Sequence, residues 1–278
     1  VKDRFNLNNR IALVTGGAGL LSSQHSNAVL KGNGTLILVD VDKKKLNFFS
    51  KKLNKNLKQR VYSFLFDKIN EKKFINFKNK LKKKKLLPDI LINNAAIDFK
   101  PKNTKFNNKK NRLEFLEINQ LRKEIDVGLI GAVICTKIFG TEMAKKKYGV
   151  ILNIGSDLSF ISPDQNLYKD SKKKEVDQTV KPVSYSIVKH GILGLTKYTA
   201  NYWPKKNVRC NLLAPGGIMN NQPLKFRKKL NKLIPLGRMA KINEYEETIL
   251  YMISDASSYM NGAALIVDGG RTSLWKKI

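Results

Sequence analysis

The sequence predicts an α/β fold in which a doubly wound, parallel sheet of about seven strands is covered by helices on both faces. Short apolar segments alternate with longer helical segments along the 278 residues. Most of the short segments run directly into glycine, aspartate or asparagine, as buried parallel strands do where they enter a turn. No internal repeat or flexible linker interrupts the alternation. Strands that alternate with helices form right-handed β-α-β units, so we predict one domain over residues 1–278.

The strands are predicted from apolar runs that are bounded by turn residues. The first run, RIALVT, precedes a glycine-rich turn, and the second, TLILVD, ends in an acid. The seven predicted strands cover residues 10–15, 35–40, 61–67, 89–96, 149–156, 207–217 and 264–270.

The helices are predicted from the longer segments between these strands. A helix closed by Gly32 follows the first turn, a long apolar helix covers residues 127–146, and another runs from Tyr185 to about residue 202. Two connections, residues 98–112 and 157–184, are longer than the others and leave carboxyl ends of strands, where open α/β sheets bind ligands. We expect both to wall a substrate pocket; the alternative is that they are only lengthened surface loops.

The chain is strongly basic, with 53 Lys and Arg against 22 Asp and Glu and a formal net charge of +31. Such a charge fits nucleic acid, an anionic membrane or an acidic substrate. The alternative is compositional bias, because Lys and Asn are both abundant and both have AT-rich codons. The lysines fall mainly in predicted surface segments and lack the interleaved aromatic residues of RNA-binding proteins. We therefore expect no specific nucleic-acid partner.

Several classes of protein are not expected from the remaining composition. No apolar run approaches the roughly 18 residues of a membrane-spanning helix, and the first ten residues are polar. We therefore expect no membrane partner and no apolar signal segment. Cys135 and Cys210 lie far apart in apolar segments, so we expect neither a disulfide framework nor a metal site, and a cytoplasmic location.

The turn after the first strand, TGGAGLL at residues 15–21, predicts a nucleotide site of the Rossmann type. Glycines let the backbone approach a pyrophosphate, and the next helix begins there with unpaired amides. Asp40 ends the second strand, where a carboxylate accepts hydrogen bonds from a ribose and repels a 2′-phosphate. We therefore predict NAD, with NADP the less favoured cofactor; the lysines at 43–45 could reverse this preference.

Six motifs in order make the sequence similar to the short-chain dehydrogenase/reductase family over nearly the whole chain. They are TGGAGLL (15–21), NNAA (93–96), NIGS (153–156), YSIVK (185–189), APGGI (214–218), and PLGRMA (235–240) followed by SDASSYMNGAALIVDGG (254–270). Residues 156–168 and 180–198 further resemble a subgroup linked to flagellin modification and surface-sugar biosynthesis.

The resemblance implies an NAD(H)-dependent enzyme that interconverts a secondary alcohol and a ketone, with a sugar or sugar derivative as its small-molecule substrate. It also implies a homotetramer or homodimer that packs two long helices between subunits. The implied cofactor-binding residues are Gly16, Gly19, Leu20, Leu21, Asp40, Asp67, Asn93, Ala95, Tyr185, Lys189, Pro215, Gly216 and Ile218.

The family's Tyr-x-x-x-Lys pattern occurs twice here, as Tyr168 with Lys172 and as Tyr185 with Lys189. Distance from the family serine, Ser156, favours Tyr168, which lies 12 residues on against 29 for Tyr185. Context favours Tyr185, because residues 168–174 are charged and read as an exposed loop or short helix.

The helix that begins at Tyr185 supports the second pair. Ile187, Gly191, Leu195 and Tyr198 recur there at helical spacing and predict a buried face, with Gly194 allowing close packing. We predict that Tyr185 and Lys189 are catalytic, and that residues 157–184 contain an insertion of roughly 16 residues.

The roles that follow are those of acid–base chemistry. Tyr185 exchanges a proton with the substrate oxygen, Ser156 hydrogen-bonds the same oxygen, and Lys189 favours the phenolate and holds the ribose hydroxyls. We expect the two histidines, His25 and His190, to be structural or solvent-facing.

Gly128 departs from the family, which carries an asparagine at this place in the long helix for a water relay. We expect the small residue to leave room for another water, or proton transfer to be slower. In the glycine-rich turn, Leu20 and Ser22 replace two further glycines of the commoner pattern. A catalytically idle subunit that acts as a scaffold, which Gly128 favours, and a basic nucleic-acid-binding protein are the alternative functions.

Overall fold

The computed structural model describes residues 3–54, 60–66, 70–97 and 108–273. Seven parallel strands form one sheet in the order β3-β2-β1-β4-β5-β6-β7, which confirms the predicted fold class. The strands are β1 (Ile11–Thr15), β2 (Thr35–Asp40), β3 (Val61–Leu65), β4 (Ile90–Asn93), β5 (Gly149–Ile154), β6 (Val208–Pro215) and β7 (Ala264–Val267). The helices are α1 (Ser22–Lys31), α2 (Lys43–Asn54), α3 (Glu71–Lys83), α4 (Ile118–Ile125), α5 (Gly131–Lys146), α6 (Val183–Tyr202), α7 (Leu224–Asn231) and α8 (Glu246–Ile253).

Alternate residues of the central strands feed two cores, one on each face of the sheet. In β2, Leu36 and Leu38 join the core that contains Val29 of α1 and Ile249 of α8. Ile37 and Val39 of the same strand join a second core with residues of α3 and α5. Successive strand side chains point to opposite faces, so a strand between two helical layers has to be apolar throughout.

Several strands are shorter than predicted, because the chain leaves the sheet at the edge that carries the cavity. After β4, the amides of Asn94 and Ala95 donate to the Thr15 hydroxyl, at 3.1 and 3.2 Å, rather than to the backbone of a neighbouring strand. After β7, Gly269 and Gly270 have φ angles of +69° and +88°, outside the extended region. Both strands therefore end before the turn residues that close the predicted segments.

The long apolar helix begins nine residues earlier than predicted, at residue 118. The first part, α4, has no buried residue, so the sequence gives no hydrophobic signal for it. A π-helical turn over Asp126–Ile130 joins α4 to α5.

By length and composition this helix, Ile118–Lys146, could cross a membrane, contrary to the expectation that no segment is long enough. In the fold, 56% of its apolar window is buried inside the protein, and α5 packs on β4 and β5. The α5 part is therefore packed in a helical layer that covers the sheet.

The predicted buried face of α6 is wrong at Ile187 and Tyr198, whereas Gly191 packs on Leu129 and Leu195 packs against the core that contains Val188. Ile187 is 40% exposed and Tyr198 66% exposed, and a Cβ built on Gly194 would meet no atom within 4 Å. The buried face carries Ser184, Val188, Lys189, Ile192, Thr196, Thr199 and Ala200 instead. The two cysteines are buried and free, and burial raises the pKa of both thiols to about 12.

Candidate active site

A cavity of about 360 Å³ lies at the carboxyl ends of the strands. Its walls come from the turn after β1, the ends of β5 and β6, the start of α6, the segment 157–184 and helix α7. This is the edge at which open α/β sheets bind their ligands.

The conformation of the turn after β1 is fixed by a glycine and by hydrogen bonds from Asn94 and Ser22. Gly16 has φ +63°, and a Cβ there would lie 2.9 Å from the Cα of Ala95. Asn94 Nδ2 donates to the carbonyl of Gly16 at 3.1 Å, and the Ser22 hydroxyl donates to the same carbonyl at 2.7 Å. Ser22 therefore has a structural use at a place where the commoner pattern has glycine.

His25 supports this turn through a hydrogen bond with Asn94. It is fully buried, with Nε2 3.0 Å from Asn94 Oδ1, and burial lowers its pKa to about 4. A neutral histidine that orients Asn94 is structural, which is one of the two roles expected for it. His190 is exposed, with Nδ1 3.0 Å from the carbonyl of Ser186.

Asp40 is fixed at the cavity wall by backbone amides. Its two carboxylate oxygens accept from the amides of Ala18 and Asp42, both at 2.9 Å. Nearby Lys45 is paired with Asp42 at 2.8 Å rather than directed at Asp40. The glycine turn and a fixed carboxylate at the end of β2 fit a dinucleotide.

The residues predicted to bind the cofactor fall into three groups: those that line the cavity, those that do not, and one outside the described residues. The cavity wall includes Gly16, Gly19, Leu20, Leu21, Asp40, Tyr185, Lys189, Pro215, Gly216 and Ile218. It also carries Asn94 and Ala96, whereas Asn93 and Ala95 are not among its lining residues. Asn93 is buried, and its Nδ2 donates to Thr136 Oγ1 at 3.1 Å and Asn153 Oδ1 at 2.8 Å. Asp67 lies outside the described residues.

Ser156, Tyr185 and Lys189 meet in this cavity. Ser156 follows β5, and Tyr185 lies in the first turn of α6. Lys189 is buried, donates from Nζ to the carbonyl of Ile154 at 2.9 Å, and lies 5.7 Å from the centre of the Tyr185 ring. The proximity of Lys189 and the helix N-terminus both favour the phenolate of Tyr185.

The other pair of tyrosine and lysine is not arranged in this way. Tyr168 ends a short 3₁₀ helix, and Lys172 lies on an exposed turn. Tyr168 is nevertheless not the exposed residue that was predicted. It is half-buried, lines the cavity and packs on Phe226 of α7 with ring centres 5.4 Å apart.

Two further side chains, which the sequence did not identify, are linked to Ser156 by hydrogen bonds, Asp157 directly and Arg271 through Asp157. The Ser156 hydroxyl donates to Asp157 Oδ1 at 2.7 Å, and Arg271 Nη1 donates to Asp157 Oδ2 at 2.6 Å. Asp157 and Arg271 are both buried. They lie 114 residues apart in the chain. The one signal in the sequence is that each follows a strand, and parallel strands end at the same edge of a sheet.

A second lysine also approaches Tyr185. Lys181, from the long connection, places Nζ 3.7 Å from the centre of the Tyr185 ring. A cation over an aromatic face is attracted by the ring, and more strongly once the ring carries the phenolate charge. The sequence offered no signal for this contact, because it depends on the path of residues 157–184.

Gly128 lies in the π-helical turn and packs against α6. A Cβ there would lie only 2.6 Å from Val188 Cγ1. The expected space for an additional water beside Gly128 is therefore filled by Val188, and an asparagine does not fit this backbone unless Val188 moves.

Known proteins share this architecture and are similar in sequence. The matching family is described as "Enoyl-(Acyl carrier protein) reductase", and the match covers residues 175–272. A 2-dehydro-3-deoxy-D-gluconate 5-dehydrogenase from Bacillus subtilis is 33% identical over 66% of this chain and 64% of that protein. The post-translational flagellin modification protein A of Campylobacter coli is 24% identical over 95% of this chain and 98% of its own length.

A solved structure agrees with these relatives. The short chain dehydrogenase from Leptospira borgpetersenii with bound NAD⁺ has a TM-score of 0.82 and 26% identity. It covers 98% of this chain and 96% of its own. With the fold, the motifs and the predicted catalytic residues in one cavity, these similarities show an NAD(P)-dependent oxidoreductase that is similar to short-chain dehydrogenases and reductases.

Proposed function

We propose that this enzyme uses NAD(H) to interconvert a secondary alcohol and a ketone on a sugar or sugar derivative, in the cytoplasm. The observation that carries the proposal is the meeting of Ser156, Tyr185 and Lys189 in a cavity that also contains the glycine turn and Asp40. The sugar class is supported by the name of the Bacillus subtilis relative, whose substrate is a sugar acid derivative.

The chain's own residues supply the proton chemistry. During oxidation, Tyr185 removes the hydroxyl proton of the substrate, and during reduction it returns that proton to the oxygen. Lys189, Lys181 and the N-terminus of α6 stabilise the phenolate that this exchange requires. The nicotinamide, when bound, accepts or supplies the hydride.

Ser156 stabilises the substrate oxygen after a change of hydrogen-bond partner. Its hydroxyl donates to Asp157 as the structure stands. Rotation about the Cβ–Oγ bond redirects the proton to the substrate oxygen, because a hydroxyl donates to one acceptor at a time. Asp157 keeps its bonds from Arg271 and from the amide of Leu158 at 2.8 Å, so it is not left unpaired by the rotation.

The preference for NAD over NADP rests on Asp40. A carboxylate held by two amides cannot move away from a 2′-phosphate, so NADP(H) is repelled. We also propose a homodimer or homotetramer, because α4, α5, α6 and the π-helical turn, which pack against one another, carry large apolar side chains that are exposed to solvent. These include Ile118, Ile130, Val133, Ile187 and Tyr198.

The test measures NADH and NADPH binding by fluorescence, and turnover with a panel of sugar alcohols, sugar acids and their ketones. Wild-type protein should prefer NADH, and Asp40→Ser should shift the ratio of the two dissociation constants toward NADPH by about tenfold, or about 1.4 kcal/mol. Tighter binding of NADPH by the wild type contradicts the cofactor assignment. Binding of NADH without turnover of any alcohol or ketone favours the idle scaffold instead.

A further inference from the structure

Arg271 is a buried cation in the cavity that the proton chemistry does not require. It follows β7, is 9% exposed, and lines the same cavity as Ser156 and Tyr185. A guanidinium group carries five N–H donors in a planar fork. Within the described part of the chain, its hydrogen bond goes to Asp157 alone. Burying an arginine is costly, and because Arg271 lines the cavity, its remaining donors are available to an acceptor bound there.

The position of Arg271 relative to the reacting oxygen is fixed by one carboxylate. Asp157 accepts from Ser156 through Oδ1 and from Arg271 through Oδ2. Two hydrogen bonds of ordinary length and one carboxyl group separate them, so the guanidinium lies no more than about 7.5 Å from the serine hydroxyl. A group that binds Arg271 is then a few carbons from an alcohol that binds Ser156.

The charge around this end of the cavity favours an anion. Among the described lining residues, Lys181, Lys189 and Arg271 are cationic there, and Asp157 is the carboxylate that faces them. The other lining carboxylate, Asp40, is at the nucleotide end after β2. Apolar side chains of Leu158, Leu230 and Met239 complete the wall and strengthen electrostatic attraction by excluding water.

We propose that Arg271 binds a carboxylate of the substrate, so that the enzyme acts on a sugar-type hydroxy acid and the corresponding keto acid. Arginine and carboxylate form paired, parallel hydrogen bonds. Because Asp157 already offsets part of the arginine charge, a group with one negative charge suits the site better than a phosphate dianion. This inference rests on the proposed function, since it assumes that Ser156 binds the reacting oxygen.

The experiment compares D-gluconate with D-glucitol, which differ in having a carboxylate or a CH₂OH group at one end. Glucitol 6-phosphate tests phosphate at the opposite end of the same carbon chain. Each is titrated into the NADH complex of the full chain, where an alcohol and a reduced cofactor cannot react. We expect gluconate to bind at least tenfold more tightly than glucitol to the wild type, and Arg271→Gln to abolish this difference.

Two further variants separate recognition from structural damage, because Arg271→Gln leaves Asp157 buried without its cation. Asp157→Asn keeps Arg271 and should preserve or increase the preference for gluconate. The double variant Asp157→Asn/Arg271→Gln has a neutral pair and should lose the preference while still binding NADH. NADH fluorescence reports in each case that the nucleotide site is intact.

The proposal is overturned by a wild type that does not prefer gluconate, or by a preference that survives in the double variant. Tightest binding of glucitol 6-phosphate, lost with Arg271→Gln, would assign the site to phosphate instead. Turnover of neutral secondary alcohols without any preference for acids refutes the carboxylate site and leaves the proposed function standing. Absence of all turnover refutes the proposed function. The comparison of gluconate and glucitol binding still tests whether Arg271 binds a carboxylate.

Discussion

At the scale of single residues, Tyr168 and Tyr185 each have a lysine four residues later in the chain. Their surroundings, rather than this spacing, distinguish them. Tyr185→Phe removes only the hydroxyl, so NADH should still bind while turnover falls by about 10²- to 10⁴-fold, the usual contribution of a general acid or base. Tyr168→Phe keeps the ring that packs on Phe226 and should keep most of the turnover. Steady-state rates of the two variants give the comparison. Loss of turnover in Tyr168→Phe with retention in Tyr185→Phe would reverse the assignment.

A second residue-scale prediction concerns the contact between Gly128 and Val188. Gly128→Ala places a Cβ within 2.6 Å of Val188 Cγ1, so the free energy of unfolding should fall by about 1–3 kcal/mol, as overpacking usually costs. Val188→Ala in the same chain makes room, so the double variant should lose less stability than the sum of the single changes. Denaturant unfolding measures all three variants. Additive losses would show that the two residues are not packed together.

At the scale of elements, residues 157–184 shape the cavity and hold helix α7 over it. Lys229 of α7 donates from Nζ to the carbonyls of Asn166 and Lys169 at 2.8 and 2.9 Å. Lys229→Met removes both bonds, so α7 should open more often and the substrate KM should rise several-fold with NADH affinity nearly unchanged. Lys228→Met, at an exposed position of the same helix, is the matched control. If both variants raise the substrate KM equally, the lost positive charge is responsible for the increase and not the lost hydrogen bonds of Lys229.

The elements also show why the sequence predicts some of the site and misses the rest. Gly16 and Asp40 are recognisable because a strand, a turn and the next strand end lie close together in the chain. The contacts of Arg271 with Asp157 and of Lys181 with Tyr185 depend on the paths of residues 157–184 and of the segment after β7, which no local pattern encodes. The face of α6 was assigned incorrectly at Ile187 and Tyr198 because apolar residues at helical spacing fit either a core or an exposed face that meets another copy.

At the scale of the whole molecule, that exposed face is where a second copy should pack. Ile130 and Tyr198 are 40% and 66% exposed, and the open space beside Gly194 allows another backbone to approach closely. Such large apolar side chains are costly in water when they form one surface, and burying them between copies removes that cost.

Light scattering of the purified chain should therefore give a mass of two or four times 31.6 kDa. Ile130→Lys/Tyr198→Lys places charges in the apolar contact and should shift the mass toward the single chain, since unpaired charges oppose desolvation. Phe48→Lys is the matched control, because Phe48 is also exposed but lies on α2, beside the β3 edge of the sheet. A wild-type chain that is already monomeric, or a control that dissociates equally, would rule out this face as the interface.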